Sequence, residues 1–464
     1  MIDNSDQKSK KKISSVEITR DVLTSRGGLT LFIKYLESIT ILNVLFNFFR
    51  KMKGSKKGFD IVEIFKQLFC YFVDGSKLHL SRFDELKKDP AYAASIETTQ
   101  EDMCSTDQVK RFLKKFTPVL IWIFRKVLQM LFIWRLKIAE MKSENKEKAL
   151  PLIKIYVDTM VMNNNDAEKR EGCNPSYKKV KGFQPLHFIW NEKIIDLVFR
   201  GGSKHSNNGD TVLKAIRSLV NKIRKQYRQD ANIAFMFDSG FFDDKIFNLL
   251  EEMEVYYTAS GKFYDNIKKE LSLSREESLR TYKKNKQIWK YCEFTYKCGT
   301  WSKGRKAIYT IPVCDENGQL IMEFGAKEGI IITNIPNTML TPEKIIETHH
   351  STGKYELTHK RIKEFSGEKL PFKRFSPNSA YYNVMVIAFF LFQCFIEDTA
   401  VDVIPDLKSN CYISTARRIL IDFAGKIVSH AGTVVLKVTE SLYNSLKMKE
   451  LWIKCNQASV IQLL

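Results

Sequence analysis

The sequence predicts an α/β protein: a mixed sheet covered by helices, interrupted by a strand-rich block, between a helical N-terminal and a helical C-terminal region. Three observations predict it. Apolar residues recur at three- and four-residue spacing through the first third of the chain with no strand signal. From about residue 150, short β-branched and aromatic runs alternate with helical segments. A second strand-rich block then precedes a return to helical patterning. At 464 residues the chain has room for two or three domains.

Taken in order, the start MIDNSDQKSKKKISS is polar and basic with no apolar core, which excludes a secretory signal and predicts a disordered basic arm over residues 1–14. Residues 15–148 read as helices in LTLFIKYLESITILNVLFNFF, FDIVEIFKQLFCYFV and STDQVKRFLKKFTPVLIWIF, with Asp60 and Ser105 as N-caps. The polar run KSENKEKAL marks a boundary. Over residues 149–275, IKIYVDTMV, PLHFIW and KIIDLVFRG predict three strands. A helix, the strand ANIAFMFD, a second helix and the strand VYYTAS follow.

Residues 276–337 form the second strand-rich block, and its Asn317-Gly318 pair is a strong hairpin signal. Helix returns over residues 338–400, with Pro342 suited to a first turn, and residues 401–464 are mostly helical. Two apolar runs, Val119 to Trp134 and Val384 to Ile396, are interrupted by Arg125 and Lys126 or are too short for a bilayer of about 20 helical residues. Both predict buried helices, and no membrane partner is expected.

The chain carries 74 Lys and Arg against 53 Asp and Glu, a net charge of +21 spread along its length. A polyanion is the expected partner, because neutralising phosphates releases counterions. The nine cysteines are scattered, with no C-x-x-C pair, which excludes a disulfide framework and a zinc site.

Three carboxylates stand out. Asp158 sits mid-strand among apolar neighbours in IKIYVDTMVM, where a charge must be paired, protonated or metal-bound. Asp238 ends the strand ANIAFMFD, the position where ligand groups gather in α/β sheets. Glu356 lies on a helix in HHSTGKYELTHKRIKEF, beyond the strand-rich block. Two strand aspartates and a helical glutamate offer hard oxygen donors suited to two Mg²⁺ ions, or Mn²⁺. Ions about 3.5 to 4 Å apart serve in-line attack on a phosphodiester. The competing reading of each is ordinary: a turn former or cap after a strand, or a solvated helix face.

The stretches YVDTMVMNNNDAEKREG, YKKVKGFQPLHFIW, FRGGSKHSNNG, FDSGFFDD, ASGKFYD, IIITNI and LPFKRFSPNSAYYNVMVIAFFLF together resemble the DDE transposases of bacterial insertion sequences. The similarity is to the group with a tyrosine-arginine-glutamate-lysine signature, and it covers Leu152 to Ile396. The resemblance implies an RNase H-like core in two parts, 149–275 and 338–400, split by a β-rich insertion. It also implies an N-terminal DNA-binding region and a C-terminal segment able to dimerise. Metal-dependent cleavage and strand transfer by a homodimer on double-stranded DNA would follow, in the bacterial cytoplasm with the nucleoid. Asp158, Asp238 and Glu356 would then be catalytic and metal-binding. A catalytically impaired DNA-binding protein or repressor, and a related RNase H-like nuclease, are the alternatives.

Placed on that signature with Glu356 as the acid, the lysine falls on Lys363, whereas the arginine and tyrosine positions hold Thr352 and His349. The spacing of His349, Thr352, Glu356, Lys360 and Lys363 predicts one shared helix face aimed at phosphates. Thr352 offers DNA one hydroxyl but no charged fork, which implies a weakened site, one compensated by Lys354 or Lys360, or a decayed copy, and Glu364 is left as surface. Further DNA contacts are expected from Arg200, Lys204 and His205 in a loop whose paired glycines let backbone approach phosphate. Lys262 follows a strand and is placed to reach DNA. Trp301 would stack on an unpaired base beside Lys303 and Arg305, with Trp289 its rival and packing within the insertion the ordinary alternative.

Overall fold

The computed structural model describes residues 13–52, 58–142, 152–166, 168–204, 210–261, 279–315, 317–321, 328–350, 353–457 and 463. The expected basic arm lies almost wholly outside them. After a short strand β1 (Val22–Thr24), the N-terminal region is helical as its periodicity predicts. Its helices are α1 (Gly28–Ser38), α2 (Ile41–Phe49), α3 (Ile61–Asp74), α4 (Arg82–Leu86), α5 (Pro90–Ser95), α6 (Thr106–Lys114) and α7 (Pro118–Lys142). Asp60 caps α3 by accepting from the Val62 N–H, and Ser105 forms a reciprocal capping box with Gln108 on α6. Phe49, Phe65, Phe112, Phe116 and Phe124 interlock these helices with ring centroids 4.8 to 5.5 Å apart. Such aromatic pairs are each worth about 0.5 to 1.5 kcal/mol beyond the area they bury.

The strands that follow are β2 (Ile153–Thr159), β3 (Met162–Asn163), β4 (Asn174–Pro175), β5 (Lys181–Phe183), β6 (Leu186–Trp190) and β7 (Lys193–Val198). Helix α8 (Thr211–Gln226), β8 (Ile233–Phe237), α9 (Asp244–Glu252) and β9 (Tyr256–Ser260) continue the chain. In the strand-rich block are β10 (Arg280–Lys284), β11 (Gln287–Tyr296), β12 (Arg305–Cys314) and β13 (Gly329–Thr333). At the predicted Asn317-Gly318 turn, Gly318 takes φ +85°, and the Asp315 carboxylate accepts from the Asn317 and Gln319 N–H groups.

One nine-stranded sheet runs in the order β10-β11-β12-β13-β9-β8-β2-β6-β7. Strand β2 pairs parallel with β8 and antiparallel with β6, and β8 pairs parallel with β9. The strand-rich block therefore continues the central sheet through the antiparallel β13–β9 pair. Continuous pairing leaves no exposed edge between the two.

Helices α10 (Pro342–His350), α11 (Gly353–Ser366) and α12 (Phe375–Phe395) bring the chain back over the sheet. Helix α12 is buried from Pro377 onward and packs against α3, α6, α7 and β7, so the N-terminal helices and the sheet share one apolar core. The sequence expectation for this run is corrected in length. With the π-helical turn Ile396–Ala400 it makes 26 residues, long and apolar enough for a membrane span, and its most apolar window is wholly buried inside the protein. The chain ends in α13 (Ile413–Leu420), the hairpin β14 (Gly425–His430) and β15 (Thr433–Lys437), α14 (Glu440–Ser445) and α15 (Met448–Asn456). Strand β1 adds to that hairpin, tying the two termini together.

Candidate active site

The site begins with register. Val157 of β2 pairs with Phe237 of β8 in the parallel ladder, so Asp158 and Asp238 come next at the same level on adjacent strands. Asp158 shares its sheet face with Tyr156, two residues earlier. Tyr156 stacks on Tyr355 with ring centroids 3.4 Å apart, which seats the start of α11 on that face and brings in the adjacent Glu356.

Asp158 Oδ1 accepts from the Thr159 N–H at 2.6 Å. Asp238 Oδ1 accepts from the Gly240 N–H at 2.9 Å, so this carboxylate also caps the 3₁₀ turn Ser239–Phe241. Glu356 is exposed.

The three acids share one electrostatic neighbourhood. Although 34% of the Asp158 side chain is open to solvent, burial of the rest and then the charge of Asp238 push its carboxyl up to about 7. Glu356 adds to the rise, against the Thr159 N–H and Lys178, which favour the anion. Asp238 is also raised, by burial, against the Gly240 and Phe241 N–H groups. Like charges without a matching cation favour a proton or a divalent ion. The donor set is all oxygen, as Mg²⁺ or Mn²⁺ requires. Among the described residues, however, no three His, Cys, Asp or Glu side chains already converge closely enough to hold a metal.

Several groups around Asp158 escaped the sequence reading. His359, three residues after Glu356 on α11, places Nδ1 3.6 Å from Asp158 Oδ2. Its Nε2 lies 3.1 Å from Nδ1 of His187, the cross-strand partner of Asp158 on β6. His187 Nε2 in turn lies 2.9 Å from the Tyr382 hydroxyl on α12. Burial, then Lys363 and Lys178, pushes His359 down to about 4, and burial holds His187 well below its ordinary value. Both rings are therefore neutral near pH 7. The Glu-x-x-His spacing was visible as two residues on one helix face, but the role of His187 needs the β2–β6 register. Lys178, in the loop before β5, is exposed.

The expected DNA contacts divide. Lys204 and Lys360 are exposed, and Lys363 Nζ lies 3.1 Å from Glu368. Lys354 lies in the first turn of α11, while Thr352, His205 and Lys262 fall outside the described residues. Lys303 is exposed but pairs with Glu251 at 2.9 Å.

Three expectations are corrected because the side chains are turned inward. Trp301 is 6% exposed, packed against Phe242, Phe247 and Tyr296, and is not presented to a base. Arg305 is 4% exposed, with its guanidinium paired to Asp244 and Glu251. Arg200 is 6% exposed and donates from Nε to the Gln184 carbonyl. The rival Trp289 is also covered, stacked between Tyr282 and His350. The paired glycines of the loop have a packing role: a Cβ on Gly202 would lie 2.1 Å from the Asn174 carbonyl oxygen, and one on Gly201 2.9 Å from that of Gly172.

The single helix face is corrected as well. His349 belongs to α10, buried, and its ring meets the Thr258 and Ser260 hydroxyls of β9, so the face runs only from Glu356 to Lys363. Glu364 is not a free surface group. Its two oxygens accept from the Ile413 and Ser414 N–H groups and cap α13.

A model of the family described as Transposase DDE domain group 1 matches residues 6–457, nearly the whole chain. The chain belongs to the DDE transposases. This family of DNA-transposition enzymes generally works with divalent metal ions. No curated protein matches the sequence. Among solved structures, eight chains match. One is a cryo-EM structure of the piggyBac transposase synaptic complex with hairpin DNA, 12% identical, covering 87% of this transposase and 82% of that chain, with a TM-score of 0.37.

Proposed function

We propose that this transposase cleaves DNA at the ends of a bacterial insertion sequence and transfers the strands, with Asp158, Asp238 and Glu356 holding two divalent cations, Mg²⁺ or Mn²⁺. The observation that carries the reading is geometric: the parallel β2–β8 register sets Asp158 beside Asp238, and the Tyr156–Tyr355 stack seats the start of α11, with Glu356, on the same face. Bound ions would activate the attacking hydroxyl or water and stabilise the leaving oxygen of an in-line displacement. For that, Glu356 has to turn its exposed carboxylate towards the two aspartates. The strand order β7-β6-β2-β8-β9, with β2 antiparallel to β6 and parallel to β8, supports an RNase H-like core.

Lys178, Lys204, Lys360 and Lys363 would meet phosphates of double-stranded DNA, and Lys354 and Thr352 stand beside them in sequence. The net charge of +21 gives such contacts a strong salt dependence. A homodimer on paired ends, in the cytoplasm with the nucleoid, completes the reading.

The test is purified full-length protein with labelled DNA from the repeats flanking its coding sequence, with Mg²⁺ or Mn²⁺, beside Asp158→Ala and Glu356→Ala. Cleavage by the wild type and loss in both variants is the expected result. Unchanged cleavage in both variants would sink the assignment of the acids. Tight binding without cleavage by any version would favour a DNA-binding protein or repressor, a reading kept open by His349 and Thr352 at the signature positions. Cleavage without strand transfer would indicate the related nuclease.

A further inference from the structure

The chain Tyr382, His187, His359, Asp158 is not required by the three-acid site, yet it leads from the buried core to the first of those acids. The Tyr382 hydroxyl lies 2.9 Å from His187 Nε2, His187 Nδ1 lies 3.1 Å from His359 Nε2, and His359 Nδ1 faces Asp158 Oδ2 at 3.6 Å. His187 and Tyr382 are fully buried, and among the described residues the Tyr382 hydroxyl has no other hydrogen-bond partner.

Geometry restricts the hydrogens. Two ring nitrogens facing each other share one hydrogen, so one donates and the other accepts. The choice propagates along the chain and leaves two arrangements. In the first, Tyr382 O–H donates to His187 Nε2, His187 Nδ1–H donates to His359 Nε2, and His359 Nδ1–H points at Asp158. In the second every direction is reversed, and Asp158 itself must carry the hydrogen. A carboxylate bound to a metal has none to give, so only the first arrangement is compatible with a working site.

We propose that His359 is a positioning residue, held as the Nδ1–H tautomer by His187 and Tyr382, and that it fixes the Asp158 carboxylate for metal binding. This rests on Asp158 as a metal ligand. The design is economical in structure: Thr159 N–H already holds Oδ1, and His359 Nδ1–H would hold Oδ2, so the carboxylate plane is set from two sides. Because His359 lies one helical turn after Glu356, the same contact also registers α11 against β2. The 3.6 Å separation is beyond hydrogen-bond length and would shorten once the ion holds Asp158 as the anion. Outer partners of this kind change metal affinity or activity by about 10- to 100-fold when removed.

The test uses full-length protein, with Mn²⁺ as the probe. Asparagine places its amide donor near the position of imidazole Nδ1, and glutamine near Nε2. His359→Ala and His359→Gln are expected to weaken Mn²⁺ binding about 10- to 100-fold and to lower kcat for cleavage without changing the KM for DNA. His359→Asn is expected to restore Mn²⁺ affinity to within about threefold. Nitrogen-15 NMR of histidine-labelled wild type with Mg²⁺ should show the hydrogen of His359 on Nδ1, a readout that needs no variant to fold. Hydrogen on Nε2, or equal losses in the Asn and Gln variants, would overturn the relay while leaving the three acids standing. Unaltered Mn²⁺ binding by Asp158→Ala would overturn the metal-site reading and the relay with it.

Discussion

His187 is the cross-strand partner of Asp158, yet its Nδ1 meets Nε2 of His359 at 3.1 Å, which inserts a second imidazole between the sheet and the carboxylate. The arrangement joins β6, α11 and β2 at the point where the acids gather. It also makes the protonation of Asp158 a measurable property of the folded protein.

In the metal-free protein Asp158 keeps its proton up to about 7, whereas the unfolded chain releases it near 3.8. The folded state binds more protons between those values, so stability falls as pH rises from about 4 to about 7 and stays at the lower level above. Asp158→Asn removes this ionisation. After discounting for the part of the side chain in solvent, the variant should be more stable at pH 8 by on the order of 1 to 2 kcal/mol. Thermal melts with a chelator across pH 4 to 8 check it. A gap that does not widen with pH would contradict the assignment, and added Mn²⁺ should narrow the gap at pH 8.

Arg305 is expected to matter for folding and not for DNA. Its guanidinium meets Asp244 at 2.6 Å and Glu251 at 2.9 Å and lies over the Trp301 and Phe247 rings. Arg305→Ala leaves Asp244 without its cation and Glu251 with Lys303 alone, and should cost about 3 kcal/mol. Denaturant titration measures this. Full stability combined with weakened DNA binding would return Arg305 to the interface.

A second buried arginine links α11, the helix that carries Glu356, to the N-terminal region. Arg417 donates to the carbonyls of Phe72 and Val73 at the end of α3 and of Phe365 at the end of α11, and so satisfies three helix-terminal acceptors. Arg417→Ala should cost about 2 to 4 kcal/mol, and Arg417→Lys should recover little, since one ammonium cannot reproduce the fork. Recovery by lysine in a denaturant titration would show that charge alone suffices.

Much of the architecture was legible because it rests on local rules. The caps at Asp60 and Ser105, the turn at Asn317-Gly318 and the alternation of strands and helices around Asp158 and Asp238 follow from short-range chemistry. What was not legible depends on register and packing. The neighbourhood of His187 exists only once β2 pairs with β6, and the burial of Trp301 only once Phe242 and Phe247 close over it. Helical spacing read across residues 349–363 as one face failed because His349 is anchored on the separate helix α10 by Thr258 and Ser260. Charge in sequence gave Arg200 and Arg305 the look of DNA contacts, although both are turned inward.

The two glutamates of α11 provide the most direct test. Glu356 is exposed beside the aspartates, whereas Glu364 caps α13. The measurement is the single-turnover rate of Mg²⁺-dependent cleavage of labelled end DNA by Glu356→Ala against Glu364→Ala, at saturating protein. Loss of at least about 10³-fold with unchanged melting is predicted for Glu356→Ala. For Glu364→Ala the prediction is a near wild-type rate with about 1 kcal/mol of lost stability. Equal rates for the two variants, or cleavage by Glu356→Ala at the wild-type rate, would contradict the three-acid site.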